Sequence, residues 1–291
     1  MISGYLPRHA TKGHHSHTFS RMEPEDILSS SLRTLYDYTP ITYSSPGESF
    51  TYTPHSEGDD SGLPTPAITL STPDTQAGNW SLHASSIWVS ALYVADHISE
   101  LGLPKEAAAT PLRLIELGAG AGLPSILIAK SYPPHVVHVV ASDFPDPLLI
   151  ETLHSNVTRN DASPNCSVVS HAWGTDPSAL LPVADIVLAA DTLWNPEMHG
   201  ALLRTTCGIL ARTQAARAHF VAGLHTGRYT LDSFFRAAGE AGLELVEATE
   251  REVQGEGRRR EWDVRRAESV DEDERERRRW VVWSVLKWRE L

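Results

Sequence analysis

The chain has 291 residues, 41% of them hydrophobic, which is enough for a sizeable core in one large domain or two small ones and excludes a chain disordered throughout. A formal net charge of −12 at pH 7 excludes tight non-specific binding to nucleic acid, which needs a basic surface to neutralise phosphates, and suits a basic partner or a small substrate. No apolar run reaches the roughly 18 residues of a membrane span and no apolar secretion signal opens the chain, so the expected compartment is the cytosol or nucleus, with Cys166 and Cys207 reduced and buried.

Residues 1–22, with the stretch HATKGHHSH, read as a disordered tail, because His14, His15 and His17 lack acidic or cysteine partners for a metal. Residues 23–78 are rich in Ser, Thr and Pro and read as an N-terminal extension with short β segments in SFTYTP and AITLST. The main domain is expected over 79–291. It opens with a helix that sets Ile87, Ala91, Val94, Ala95 and Ile98 on one face and stops at Gly102 and Pro104. Strands then alternate with helices: Leu112–Leu117, Val136–Asp143, Ser167–His171, Ala184–Asp191 and Ala218–His225, with helices after Pro147, after Pro196 and from Thr230.

Short apolar strands between amphipathic helices predict a Rossmann-like α/β fold, a seven-stranded, mostly parallel sheet covered on both faces. LELVEATER and WVVWSVLKW, with no helix between them, predict an antiparallel C-terminal hairpin. The segment joining them, 252–279, carries ten acidic and nine basic residues and reads as a mobile loop or surface helix.

The stretch RLIELGAGAGLPS places Gly118, Gly120 and Gly122 on a strand-to-helix turn, where backbone N–H groups can approach a small molecule. A dinucleotide fingerprint would need its third glycine at 123, and that residue is Leu123, which disfavours NAD. Asp143 ends the second strand, where a carboxylate can accept both ribose hydroxyls of an adenosine. No Walker lysine or basic cluster flanks the turn, which points away from a diphosphate. S-adenosyl-L-methionine (SAM) suits the uncharged turn and Glu116 in the first strand, although Glu116 can equally bond loop N–H groups.

Five pieces in this order and spacing, SSIWVSALYVAD, IELGAGAGLPS, ASDFPDP, HAWG and ADIVLAADTLWN, carry a resemblance over roughly residues 79–291. The chain resembles the seven-strand lysine methyltransferases, in the branch of small cytosolic protein methyltransferases that includes fungal proteins named as nicotinamide N-methyltransferase and as elongation factor one-alpha methyltransferase. The resemblance implies that Trp88 lies beside the cofactor, that Gly118, Ala119 and Gly120 cradle it, that Asp143 holds the ribose, that Trp173 packs by the adenine and that Ala190 lines the pocket. It also implies a protein substrate, with a translation factor among the candidates, or a small aromatic amine.

DTLWNPEMH, at the carboxyl end of a strand, is the candidate substrate site. Where the relatives often carry Asp-x-x-Tyr or Asp-x-x-Phe, this chain has Asp191 and Trp194. Trp194 offers a π-face and no hydroxyl. Asp191 is expected to orient the amine without deprotonating it, since its charge would raise the amine's pKa. Asn195 and His199 are candidate substrate contacts. No metal is expected. The readings carried forward are an N-methyltransferase acting on a protein lysine or N-terminal amine, one acting on a nicotinamide-type molecule, and a non-catalytic SAM-binding interaction protein.

Overall fold

The computed structural model describes residues 39–54, 66–75, 77–104, 106, 108–269 and 272–290. The tail expected over 1–22 lies outside the described residues. Four short strands come first: Thr42–Tyr43 (β1), Ser49–Tyr52 (β2), Ile68–Ser71 (β3) and Ile87–Trp88 (β4). β1 pairs antiparallel with β4, and β2 with β3. The helix Val89–Asp96 (α1) follows and gives way to a 3-10 turn that Gly102 ends in a left-handed conformation.

This is the first correction. Ile87 and Trp88 are strand, not helix, because the β1 pairing holds their backbone extended; the helix starts two residues later.

The main sheet contains Leu112–Leu117 (β5), Val137–Asp143 (β6), Cys166–Ser170 (β7), Ile186–Ala190 (β8), Arg217–Gly223 (β9), Leu243–Glu252 (β10), Arg259–Glu261 (β11) and Trp280–Trp288 (β12). Their spatial order is β11-β10-β12-β9-β8-β5-β6-β7. From β9 to β7 every pairing is parallel; β12 runs antiparallel to β9 and to β10. The helices between strands are Leu123–Ser131 (α2), Pro147–Arg159 (α3), His199–Ile209 (α4) and Arg228–Glu240 (α5), with a short Glu274–Arg277 (α6) before β12. A 3-10 turn, Pro196–Met198, precedes α4.

Both sheet faces are covered, and the strand residues show it with period two. Leu114, Ile186, Leu188, Val221 and Trp283 join α1, α2 and α3 on one side. Ile115, Val187, Ala189, Phe220 and Val282 join α4 and α5 on the other. The β2–β3 ribbon belongs to the first side: Tyr52, Ile68 and Leu70 are buried in it. Asn156 of α3 and Asn160, the residue that ends it, bond the ribbon's backbone as a strand would, Asn156 to Ser71 and Asn160 to Thr69, each both donating and accepting at 2.8–3.0 Å. Asn156 also donates to Ala121 O at 2.9 Å, which ties the ribbon to the glycine turn. Residues 39–291 form one compact unit. Cys166 is buried as expected, whereas Cys207 is only half-buried.

The charged segment 252–279 is the second correction. It was expected as a mobile loop or surface helix, and its described part is instead folded back: β11 adds an eighth strand to the expected seven by pairing with β10. What holds it is Arg228, at the start of α5, whose side chain is fully buried between two carboxylates. Its guanidinium donates to Glu250 Oε2 at 2.8 Å and to Glu272 Oε2 at 2.6 Å, and Arg260 and Arg266 also reach Glu250 at 2.7 Å. Burial alone would raise the Glu250 pKa, but the bonds from Arg228 and Arg260 win and hold it below the ordinary range.

Removing one partner of such a buried pair leaves an uncompensated charge, so Arg228→Met is expected to lower stability by about 3 kcal/mol. Urea unfolding checks this, with Arg265→Met, in an exposed pair, as the control that should leave the midpoint unmoved.

Candidate functional site

At the carboxyl ends of the parallel strands lies a cavity of about 350 Å³, lined mainly by apolar surface. Most of the candidate residues meet there. Trp88, Glu116, Gly118, Ala119, Gly120, Gly122, Asp143, Trp173, Ala190, Asp191, Trp194 and Asn195 all line it, although they come from segments spread over more than a third of the chain. His199 does not. It is buried beneath the 191–198 segment, with Nε2 donating to Leu193 O at 2.9 Å and its ring edge-on to Phe234 of α5. An imidazole that bridges a loop to a helix interior is a packing residue, and the substrate-contact expectation for His199 is withdrawn.

The glycine turn works differently from expectation. The N–H groups of Gly118 and Ala119 both donate to Ser142 O at 2.9 and 3.0 Å, Gly122 N–H donates to Ala119 O at 2.8 Å, and Gly120 N–H donates to Asp143 Oδ2 at 2.6 Å. These four amides are spent inside the protein, so they make no phosphate-binding nest. What glycine supplies at 118 is close approach. A Cβ there would stand 2.9 Å from Thr192 Cγ2 and 3.1 Å from Trp173 Cζ2, at φ +75°. Trp173 is thereby laid over the turn as one wall of the cavity.

Asp143 ends β6 with Oδ1 accepting from Phe144 N–H at 2.7 Å and Oδ2 from Gly120 N–H. Each oxygen keeps a second lone pair for a ligand hydroxyl. The cap of α3 is Asp146, which accepts from Leu148 and Leu149 N–H, so Asp143 is not serving as the helix cap. Burial pushes the Asp143 carboxyl up to about 6 despite its two backbone bonds. Glu116, fully buried, is pushed up to about 8 by burial, opposed by the N–H and hydroxyl of Ser125, which both donate to its Oε2.

Asp191 follows β8 with φ +53°, in the left-handed region. Its Oδ1 accepts from Gly223 N–H at 2.7 Å and its Oδ2 from Ser90 N–H at 3.1 Å. Asn195 Oδ1 caps the following 3-10 turn through Glu197 N–H. Trp194 is half-buried, with its ring edge-on to His83 at 4.8 Å between centroids. Trp88 donates from Nε1 to His83 O at 2.7 Å and stacks on His225 at 5.7 Å and 15°. The sequence reading missed His83, Phe144, Thr192 and Met198 as lining residues. Only His83 carried a local signal, lying inside the stretch SLHASSIW, and a single histidine has no spacing to read.

Topology and cavity together define a Rossmann-like α/β protein with an enclosed cleft at the strand ends, where open sheets of this class bind nucleoside ligands. The lysine methyltransferase family profile matches residues 74–239, and the chain belongs to that family. It is 33% identical over 137 residues, 44% of this chain and 51% of the relative, to the protein N-terminal and lysine N-methyltransferase efm7 of Schizosaccharomyces pombe. It is 32% identical over 189 residues, 58% of this chain and 68% of the relative, to the protein of the same name in Eremothecium gossypii. The match thus spans about half to two thirds of the length of these relatives. Among solved structures, a SAM dependent methyltransferase from Aquifex aeolicus aligns with TM-score 0.46 and 13% identity over 65% of this chain and 86% of that one.

The buried acids give a pH dependence whose sign is fixed. With a folded pKa of about 8 against about 4.3 unfolded, Glu116 holds a proton that the unfolded chain has released, so its contribution is lost as pH rises through that window. Thermal melting between about pH 6.5 and about pH 8.5 is expected to fall in the wild type and to stay flatter in Glu116→Gln, which keeps an acceptor for Ser125.

Proposed function

We propose that this chain transfers a methyl group from SAM to a protein amine, either an N-terminal α-amine or a lysine side chain. The observation that carries the reading is the single cavity that joins the glycine turn and Asp143 to an aromatic mouth of Trp88 and Trp194. Family membership and the names of the relatives support it. A translation factor is one acceptor among the basic partners that the net charge of −12 would attract.

The residues fit the cofactor. The cavity is of ligand size and largely apolar, its glycine turn has no free amide nest for phosphate, and Thr192 Oγ1 stands buried in its wall with no hydrogen-bond partner among the described residues. Asp143 would hold the ribose hydroxyls through its unused lone pairs, and Trp173 would flank the adenine. When bound, SAM supplies an electrophilic methyl group on a cationic sulfonium.

The protein's own work is alignment, dehydration and removal of a proton. A lysine amine with an ordinary pKa of about 10.4 is almost wholly protonated at neutral pH, and an ammonium has no lone pair to give. A water-poor aromatic mouth beside a cation lowers that pKa. Asp191 positions the walls of the mouth through Ser90 and Gly223 and, with a lone pair left on each oxygen, orients the amine; it does not act as the base, since a negative charge beside an ammonium favours the protonated form. Trp88 and Trp194 offer π-faces that hold a cationic or newly methylated amine.

Incubation with methyl-labelled SAM and a lysate is expected to place label in the protein fraction; label confined to small molecules would show instead a nicotinamide-type acceptor. Trp194→Ala is expected to cut labelling roughly tenfold or more with SAM affinity changed by less than about 0.5 kcal/mol, and Trp194→Phe to keep most of the rate. Asp143→Ala is expected to weaken SAM binding by about 1.5–3 kcal/mol in calorimetry, the cost of losing charge-assisted bonds to hydroxyls.

A further inference from the structure

The cavity wall contains five titratable side chains: His83, Glu116, Asp143, His171 and Asp191. Four are engaged. Glu116 is held by Ser125, Asp143 by Gly120 and Phe144, Asp191 by Ser90 and Gly223, and His171 Nε2 lies 3.2 Å from Thr205 Oγ1. The ring nitrogens of His83 have no hydrogen-bond partner among the described residues.

His83 is also placed with some force. Its backbone sits at φ +54°, in the left-handed region that a non-glycine residue adopts only when held there, and Trp88 Nε1 bonds its carbonyl. The ring stands edge-on to Trp194 at 4.8 Å and edge-on to Trp88 at 6.0 Å. Those two indoles are the π-faces assigned above to the acceptor amine. His83 is nevertheless an exposed residue, so a proton taken at the rim can pass directly to water.

Resting on the methyl-transfer reading, we infer that His83 is a catalytic residue, the base that receives the acceptor ammonium's proton at a ring nitrogen. The ammonium gives one proton to the neutral imidazole, and its nitrogen keeps the electron pair. That pair forms the new bond to the methyl carbon as the carbon–sulfur bond breaks with its pair on sulfur, and the imidazolium returns its proton to water. Histidine is the side chain whose chemistry best suits proton exchange near neutral pH. The titratable groups around it are Asp191 and Glu197 on the 191–198 segment, His225 behind Trp88, and Glu116, Asp143 and His171 in the same cavity wall; its own segment, 77–86, holds no other.

The test compares the wild type with His83→Gln, a rim substitution that keeps a polar side chain of similar length. Labelling of the lysate protein fraction is measured from about pH 6 to about pH 9.5 at saturating SAM, and binding of the demethylated cofactor is measured by calorimetry. At pH 7 the variant is expected to be roughly tenfold slower or more, with the deficit closing as pH approaches the amine's own pKa and cofactor affinity unchanged. A second readout needs no turnover. In the complex with demethylated cofactor, the histidine Hε1 resonance absent from His83→Gln is followed by NMR while n-butylamine is added; its titration midpoint is expected to fall, because a cation beside an imidazole disfavours the charged ring. Parallel pH–rate curves for the two proteins, or a His83 resonance indifferent to the amine, would overturn the assignment. A wild type that labels nothing at any pH would overturn the methyl-transfer reading and this inference with it.

Discussion

The carboxylate of Asp191 is the joint on which the site is assembled. It accepts from Ser90 N–H in the first turn of α1 and from Gly223 N–H at the end of β9, so one side chain clamps a helix and two adjacent strand ends. The residue preceding α1 is Trp88, whose indole cannot cap the helix, and Asp191 supplies the acceptor and negative charge that the helix N-terminus lacks. Gly223 completes the joint: a Cβ there would stand 2.2 Å from the His225 ring, so glycine is what lets the 224–226 turn bring His225 beneath Trp88. The orientation of Trp88, and through its indole N–H that of His83, follows from this joint.

Two regimes of buried charge stand side by side in the molecule. In the cavity, burial outweighs the few donors available, and Glu116 and Asp143 are pushed up to about 8 and about 6. Under the charged segment, arginines outnumber the burial penalty: Glu250 faces Arg228, Arg260 and Arg266 and stays ionised to lower pH than usual. The first arrangement leaves carboxyls responsive to an arriving cation, since a positive neighbour restores their charge. The second is saturated and serves to fasten β11 and the following turns to the start of α5.

That fastening has a geometric consequence for the site. α6 packs against the 224–226 turn, and Arg278 acts on His225, whose ionisation is disfavoured first by burial, against the pull of the Asp191 carboxylate, and to a lesser degree by that arginine. The segment of alternating charges therefore forms part of the scaffold behind Trp88, tied to the rest of the fold through Arg259 to Glu100 and through Arg260 and Arg266 to Glu250.

The order of strands and helices in the main domain was legible from residue 112 to the end of β10 and again in β12, but not in the charged segment between them, and β5 and β12 have the very limits expected. Burial on both sheet faces demands unbroken runs of Leu, Ile and Val, and a strand-to-helix turn against Trp173 demands glycine; each is a local demand that any single sequence displays. The roles of individual side chains were not legible. Asp191 meets Ser90 across 101 positions, Arg228 meets Glu272 across 44, and His83 finds Trp194 only after the sheet has closed between them. Whether a carboxylate is free or spent, and whether a histidine is buried like His199 or open at a rim like His83, depends on which donors the fold brings within about 3 Å, and no local pattern records that.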